Sequence, residues 1–560
     1  MISAKFVGVA AFVAAAIAPA APAEAAAAPP ADLRARADAI VEAAFPANGP
    51  GAAIIITRGG ETIYAGARGL ADVEGRRPLS RDSVFRLGSI TKQFTAAIIL
   101  QLVHEGRISL DDPVSRFLAD YPGPGAAVTV RQLLNHTSGI QPYTGIPGWM
   151  VEENTNRPYT TAQMIAVFRD LPSPTPPGQA WAYNNSGYVL LGAIIKQVTG
   201  KPWHQAVAER IAGPLRLRTI GYGVDREAGA GMARGYTGAD GQARPARRIH
   251  MSVPHAAGAL VGTVGDLARW SHALHHGRVV SPALYTAMTA PTSLPEGRSH
   301  PYGFGVGFDQ VRGRASIEHG GGIFGFSTYA AYVPSEDLFV AVLANSDQPA
   351  SNPSLLASRL AALALGDPYP VFARAEVDAR TLAPLFGVYR VGDAGVSRRF
   401  FARGGKLYTL RDGGSDLEVF AAGEDRFFYG PNSLTWFRIE RRPDGGHVMA
   451  MHQNGNDSAE RAVRTGDVPT DHRVAPALLS SYVGRYVTGG PTAEVAMGEG
   501  GVLTVQLTGQ PALPLRPASD TEFMVQGVDA RVVFHSENGQ VSRLVIHQGG
   551  RQIEARRAPR

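Results

Sequence analysis

Beyond Leu382 the chain is written twice. Phe386-Gly387-Val388-Tyr389 returns as Val483-Gly484-Arg485-Tyr486, the two tyrosines 97 residues apart. Gly404-Gly405-Lys406-Leu407 returns as Gly500-Gly501-Val502-Leu503 at a spacing of 96, and Leu417, Val419 and Phe427 match Leu513, Leu515 and Phe523 at the same spacing. His452-Gln453-Asn454-Gly455 matches His547-Gln548-Gly549-Gly550 at 95. Four ordered matches at nearly one interval imply two tandem copies of one domain. Within each copy, short β-rich runs are separated by Gly and Asp turns, and helical patterning largely disappears. Short antiparallel strands leave sheet edges exposed unless the sheet closes on itself. Each copy is therefore expected to be a small antiparallel, lipocalin-like β-barrel, over residues 378–466 and 475–558.

The part before the repeat is built differently. From Leu33 to about Asp367, helix-like and strand-like stretches alternate, which fits a sheet covered by helices, an α/β domain over residues 31–367. Ala52 to Ile56 and Ile63 to Ala65 read as a hairpin around Arg58-Gly59-Gly60-Glu61. Ile90, Phe94, Ile98 and Leu102 space a helix from Ser89 to Glu105, stopped by Gly106. Tyr188 to Val198 is a second apolar helix closed by Thr199-Gly200, and Ser327 to Val333 and Leu338 to Leu343 read as strands joined by Pro334-Ser335-Glu336-Asp337. With 560 residues, 44% hydrophobic and 18% charged, the chain is long enough for three or four such cores.

Residues 1–25 read as a secretory signal. Lys5 precedes the apolar stretch Phe6 to Ala18, and Ala21-Pro22-Ala23 or Ala23-Glu24-Ala25 supplies small residues for cleavage near Ala23 to Ala25. The run is too short to span a bilayer and is followed by Pro19 and Pro22. The expected location is periplasmic or secreted.

There is no cysteine, which removes disulfides, zinc–thiolate sites and Cys nucleophiles together. The net charge of +6 is small for this length and gives no basis for nucleic-acid binding. Ser89-Ile90-Thr91-Lys92 places an amine beside a hydroxyl at the start of a helix, because positions three apart share a face. A neutral amine there can take the hydroxyl proton, although the same pattern suits an N-cap serine with a solvated lysine. Lysine is rare in this chain, at positions 5, 92, 196, 201 and 406 alone, and arginine cannot replace it where an amine must lose its proton. Tyr183-Asn184-Asn185 precedes the second helix; a phenol becomes a useful base only where a cation such as Lys92 lowers its pKa, and otherwise this is a tyrosine with local bonds. Glu318-His319-Gly320-Gly321-Gly322 lets a backbone approach a substrate closely, with an N–H available to an oxyanion.

Other matches carry no cofactor. Gly320-x-Gly322-x-x-Gly325 has the spacing of a dinucleotide loop but is followed by a strand, and Gly200-Lys201 lacks the earlier glycine of a phosphate loop. His272, His275 and His276 have a partly helical, metal-like spacing with no carboxylate beside them, and are read as solvated, so no metal is expected.

In this order, Ser89-x-x-Lys92, Tyr183-x-Asn185 and His319-x-Gly321 resemble the three motifs of the serine β-lactamase and penicillin-recognising superfamily, in the branch of class C β-lactamases, esterases and D-aminopeptidases. Phe85-Arg86-Leu87-Gly88, Leu133-Leu134-Asn135-His136-Thr137-Ser138-Gly139 and Tyr188-Val189-Leu190-Leu191-Gly192 add to the resemblance. It implies an antiparallel sheet with helices facing an all-helical lobe, an acyl-enzyme on Ser89, proton transfer shared by Lys92 and Tyr183, and substrate orientation by Asn185, His319 and Gly321. The backbone N–H groups of Ser89 and Gly322 would form the oxyanion hole. β-Lactamases and carboxypeptidases of the superfamily usually carry Lys where this chain has His319. A histidine is mostly neutral at pH 7 and holds a substrate carboxylate less well. The expectation therefore moves from β-lactam or D-Ala-D-Ala carboxypeptidase chemistry toward an aminopeptidase, amidase or carboxylesterase. A catalytic domain followed by two barrels resembles bacterial D-aminopeptidases, while a non-catalytic cell-wall binder is the reading from another class. The expected partner is a small-molecule or short-peptide substrate, with no nucleic acid and no membrane span; self-association into a homo-oligomer is compatible with the sequence.

Overall fold

The computed structural model describes residues 32–558, apart from short stretches at 227–230, 239–241, 393–394, 413, 415, 469–471, 488–491, 499–500, 508–510, 527, 529 and 549–550. The leader and its cleavage sites lie outside the described residues, as do Gly500 and Gly549-Gly550 of the repeat. The chain forms two compact units that meet in sequence at Pro368 and Tyr369. Among the described residues no helix is long and apolar enough to cross a membrane.

In the first unit, helix α1 (Leu33–Ala44) leads into the hairpin β1 (Ala52–Arg58) and β2 (Glu61–Arg68). Helix α2 (Thr91–His104) follows a 3-10 turn at Gly88–Ile90, and α3 (Asn185–Thr199) and α4 (Val264–His275) come later. Strands β3 (Gly307–Val311), β4 (Arg314–Ile323), β5 (Phe326–Val333) and β6 (Leu338–Ala344) then run as a meander before α5 (Pro353–Ala364). The six strands make one antiparallel sheet in the order β3-β4-β5-β6-β1-β2. Every residue of β6 and nearly every one of β1 is buried, because helices cover both faces. Ala53, Ile55, Ala341 and Leu343 share a core with Phe94 of α2 and Leu267 of α4, while α1 and α5 pack against the sheet from its other side. Helix α2 is buried along its whole first half, from Thr91 to Leu100. The titratable amine of Lys92 is thereby carried into the core by the helix that bears it.

The second unit contains two closed antiparallel barrels of eight strands each. The first runs from Gly387–Val391 to Glu460–Gly466, and the second from Gly484–Val487 to Arg551–Arg557; in each the last strand pairs with the first. Large side chains fill both interiors: Tyr389, Phe400, Phe427, Phe437 and Met449 in one, Tyr486, Phe523, Phe534 and Leu544 in the other. The repeat is also a repeat of hydrogen bonds. Tyr389 donates to Leu385 O at 2.5 Å and Tyr486 to Tyr482 O at 2.8 Å. Arg464 donates to Phe386 O at 2.9 Å and Arg557 to Val483 O at 2.6 Å, so an arginine of each last strand ties down the entry to the first.

Candidate active site

Gly88 sets the geometry of the site. It adopts φ 54°, a left-handed conformation that glycine tolerates at little cost, and it turns the chain from a short strand at Phe85–Arg86 into the 3-10 turn that carries Ser89. Strand β4 lies directly against this turn. A methyl group on Gly321 would come within 2.1 Å of Leu87 O and 2.2 Å of Thr328 Oγ1, and one on Gly88 within 3.0 Å of Gly322 N. Thr328 donates to Leu87 O at 2.9 Å across the same contact. Gly88 and Gly321 are what let the chain leading to Ser89 lie against β4 at Gly322. Strand β3 pairs with β4 only as far as Glu318, so His319 to Ile323 has no strand on that side.

Lys92, one turn beyond Ser89, is fully buried. Its Nζ lies 3.0 Å from Ser89 Oγ, 2.8 Å from Asn185 Oδ1 and 2.9 Å from Ala257 O. Two of these partners are carbonyl oxygens, which only accept. A neutral amine held by those two N–H bonds would present its lone pair to the serine hydroxyl. Burial pushes the Lys92 amine well below its ordinary value, since the charged form loses its hydration. The solvated-lysine alternative is thus excluded.

Asn185 opens α3, whose N-cap Asn184 accepts from Gly187 N at 3.1 Å. With its carbonyl toward Lys92, the Asn185 amide donates at 3.4 Å to Thr144 Oγ1. Tyr183 stands just ahead of the cap, 36% exposed, with a hydrogen bond to Ser89 and its ring 4.6 Å from Lys92 Nζ. Desolvation raises the Tyr183 phenol, and the Ser89 hydrogen bond only partly opposes this. Burial thus disfavours the ammonium of Lys92, and desolvation disfavours the phenolate of Tyr183.

His319 is buried on β4. Its Nδ1 is 2.6 Å from Gly320 O, which can only accept, so Nδ1 carries the hydrogen and Nε2 accepts from the Tyr302 hydroxyl at 2.9 Å. Burial pushes this imidazole down to about 3, so it is neutral at every physiological pH. The structure thus brings Ser89, Lys92, Tyr183, Asn185, His319, Gly321 and Gly322 together from three separate segments.

A beta-lactamase family model matches residues 38–365, more than half of the chain. The chain belongs to the beta-lactamase family. It is a hydrolase of that family. It is similar to penicillin-binding protein 4* of Bacillus subtilis, with 26% identity over 438 residues, 74% of this chain and 94% of the relative. It is also similar to a D-aminopeptidase of Gluconobacter oxydans, with 28% identity over 371 residues, 64% of this chain and 66% of the relative. Among solved structures, a D-stereospecific amidohydrolase from Streptomyces sp. matches with 32% identity and a TM-score of 0.50, over 57% of this chain and 95% of that one.

Around these motif residues, this beta-lactamase-family site has an aromatic wall that no spacing announces. His136, in the left-handed region at φ 63°, accepts from Asn184 N at 3.1 Å through Nδ1, and its ring centroid lies 4.5 Å from Tyr183 and 4.8 Å from Tyr302. Its buried Nε2 has no hydrogen-bond partner among the described residues. Trp181 stacks on His300 at 3.7 Å. His136 sits in the Leu133–Gly139 stretch, but nothing in that stretch marks which side chain points inward. Trp181 and Tyr302 come from connecting segments, His300 from the two-residue strand Ser299–His300 and the Ala257 carbonyl from the one-turn helix His255–Gly258, all too short to carry a periodic signal.

The histidine cluster at the end of α4 also differs from its sequence reading. Asp337, 61 residues from His276 along the chain, supplies the carboxylate that the local sequence lacks. His275 turns away, stacking on Tyr332 at 4.0 Å.

Proposed function

We propose that this chain is an exported serine hydrolase that acts through an acyl-enzyme on Ser89, as a D-aminopeptidase or related amidase on short substrates with a D-residue. The observation that carries the reading is the buried Lys92 amine, 3.0 Å from Ser89 Oγ with both N–H bonds committed to carbonyls. A desolvated neutral amine is a competent base, whereas a neutral phenol is a poor one, so Lys92 takes the serine proton and Tyr183 relays it. Ser89 Oγ attacks the scissile carbonyl, and its oxyanion forms between the N–H groups of Ser89 and Gly322. The leaving amine departs with a proton delivered through Tyr183, and water then attacks the ester by the reverse route. Asn185 holds both the Lys92 amine and the substrate amide.

The substrate class rests on His319 and on the relatives. A neutral imidazole offers no fixed cation to a terminal carboxylate, so substrates without one at that end are preferred. Several curated relatives are D-aminopeptidases, and a structural neighbour is a D-stereospecific amidohydrolase. The leader-like N-terminus supports export.

Fluorophosphonate labelling followed by intact mass tests the nucleophile: one adduct on the wild type and none on Ser89→Ala is expected, and equal labelling of both would overturn it. Rates on D-aminoacyl and L-aminoacyl anilides, nitrophenyl butyrate and a chromogenic cephalosporin test the substrate class. Faster turnover of the D-aminoacyl anilides is expected; preference for the butyrate or the cephalosporin would replace this reading with an esterase or a β-lactamase.

A further inference from the structure

His272 and His276 lie one turn apart at the C-terminal end of α4 and face the turn between β5 and β6. There Asp337 completes a set whose ligand atoms all lie within 4.8 Å of one another. The bonding of His276 constrains what the set can hold. Its Nδ1 is 2.8 Å from the carbonyl of His272, which only accepts, so Nδ1 bears the hydrogen. Its Nε2 lies 3.1 Å from Asp337 Oδ2. That nitrogen must offer the carboxylate a proton or share a cation with it, because a bare lone pair against a carboxylate repels.

The other two members are placed for the same purpose. His272 Nδ1 is buried without a hydrogen-bond partner among the described residues, and its ring packs so closely on the β1–β2 turn that a methyl on Gly60 would come within 3.0 Å of that nitrogen. Asp337 is held in a left-handed conformation at φ 44°, its carbonyl accepting from Gly59 N at 2.9 Å and its Oδ1 accepting from Tyr332 at 2.9 Å. A carbonyl behind one imidazole and a phenol behind the carboxylate are outer partners of the kind that orient metal ligands. The negative end of the α4 dipole adds a field that favours a cation. His276 and Asp337 side chains are about one-third exposed, 37% and 33%, so an ion can enter from solvent.

We propose that His272, His276 and Asp337 form a binding site for a divalent transition-metal ion of the zinc class. Two imidazoles and one carboxylate suit Zn²⁺ or Co²⁺ and leave a coordination position for water. The ion joins the end of α4 to the β5–β6 turn. From Thr328, which touches the Ser89 turn, to Val333 the strand β5 runs about 17 Å, so the site lies remote from the chemistry and acts on stability. It stands independently of the hydrolase reading.

The test is calorimetric titration of tag-free, EDTA-treated full-length protein with ZnCl₂ at pH 7.5, beside His276→Ala and Asp337→Asn. The expected result is one site with a dissociation constant below about 100 µM, weakened at least tenfold in both variants. Co²⁺ should give visible absorption bands in the wild type that both variants lose. Circular dichroism of metal-free His276→Ala checks that this variant folds. Binding weaker than that limit, or equally tight binding in both variants, would overturn the proposal. Should Asp337→Asn not fold, His276→Ala and the Co²⁺ spectrum of the wild type decide.

Discussion

Gly321 and Gly322 are neighbours on β4, yet substitution by alanine should have opposite effects. A methyl on Gly322 meets nothing within 4 Å, whereas one on Gly321 lands 2.1 Å from the Leu87 carbonyl. To restore even a tight 3.0 Å contact, Leu87 O must recede by about 0.9 Å, and a main-chain atom cannot rotate aside in a packed interior. Overpacking of this kind costs about 1–3 kcal/mol. Leu87 stands two residues before Ser89, so the strain moves the nucleophile relative to Gly322 N, and misplacement of about 1 Å costs roughly 100-fold in rate. Gly321→Ala should therefore lower the urea midpoint by the equivalent of about 1–3 kcal/mol and slow fluorophosphonate labelling about 100-fold, while Gly322→Ala keeps the wild-type midpoint. Gly321→Ala with wild-type midpoint and labelling rate would refute the close-packing argument. A Gly322→Ala variant as unstable as Gly321→Ala would refute its specificity.

Lys92→Met should abolish labelling without unfolding the chain, and circular dichroism with intact mass separates the two. Because burial holds Lys92 below its ordinary range, the wild-type labelling rate should climb with pH and level off well before the usual lysine value of about 10.4; a rate still rising there contradicts a neutral Lys92 base. The same shift makes folding release a proton between the two pKa values. Stability should then fall as pH is lowered toward the folded pKa, by up to about 1.4 kcal/mol per unit relative to Lys92→Met, as pH-dependent denaturation would report. His319→Lys should raise kcat/KM for a carboxylate-bearing chromogenic cephalosporin about tenfold, the worth of about 1.4 kcal/mol of added pairing, with no change if the imidazole does not face substrate. In the barrels, Tyr389→Phe and Tyr486→Phe each remove one equivalent hydrogen bond and should each cost about 1 kcal/mol in denaturant melts; a large difference between them would count against a repeated tie.

What the sequence disclosed followed the range of the interaction involved. The α2 and α3 helices, the β1–β2 hairpin and the β5–β6 pair are local patterns, and they occur where hydrophobic spacing and turn residues put them. The barrels were legible because the chain holds two copies, and a weak strand signal stated twice at one interval becomes a strong one. Ser89 and Lys92 were paired by helical spacing, but the Lys92 cage depends on Asn185 and on the Ala257 carbonyl, and a main-chain oxygen has no signature in any sequence. Whether Lys92 or Tyr183 serves as the base was left open by the sequence, because the answer turns on the packing around α2, which disfavours the charged amine. Asp337 was beyond reach in the same way, since a turn between two strands delivers it to a helix end 61 residues earlier.

The depth of Lys92 also bears on how the protein can be handled. The other described lysines, Lys196, Lys201 and Lys406, are all exposed, and Lys201 and Lys406 pair with Glu209 and Glu418. Reagents that acylate free amines, or supports that capture them, will reach those three positions, while Lys92, the proposed base, is screened by the core of its own helix. Coupling through lysine should attach this protein by surfaces remote in sequence from Ser89 and leave Lys92 chemically untouched.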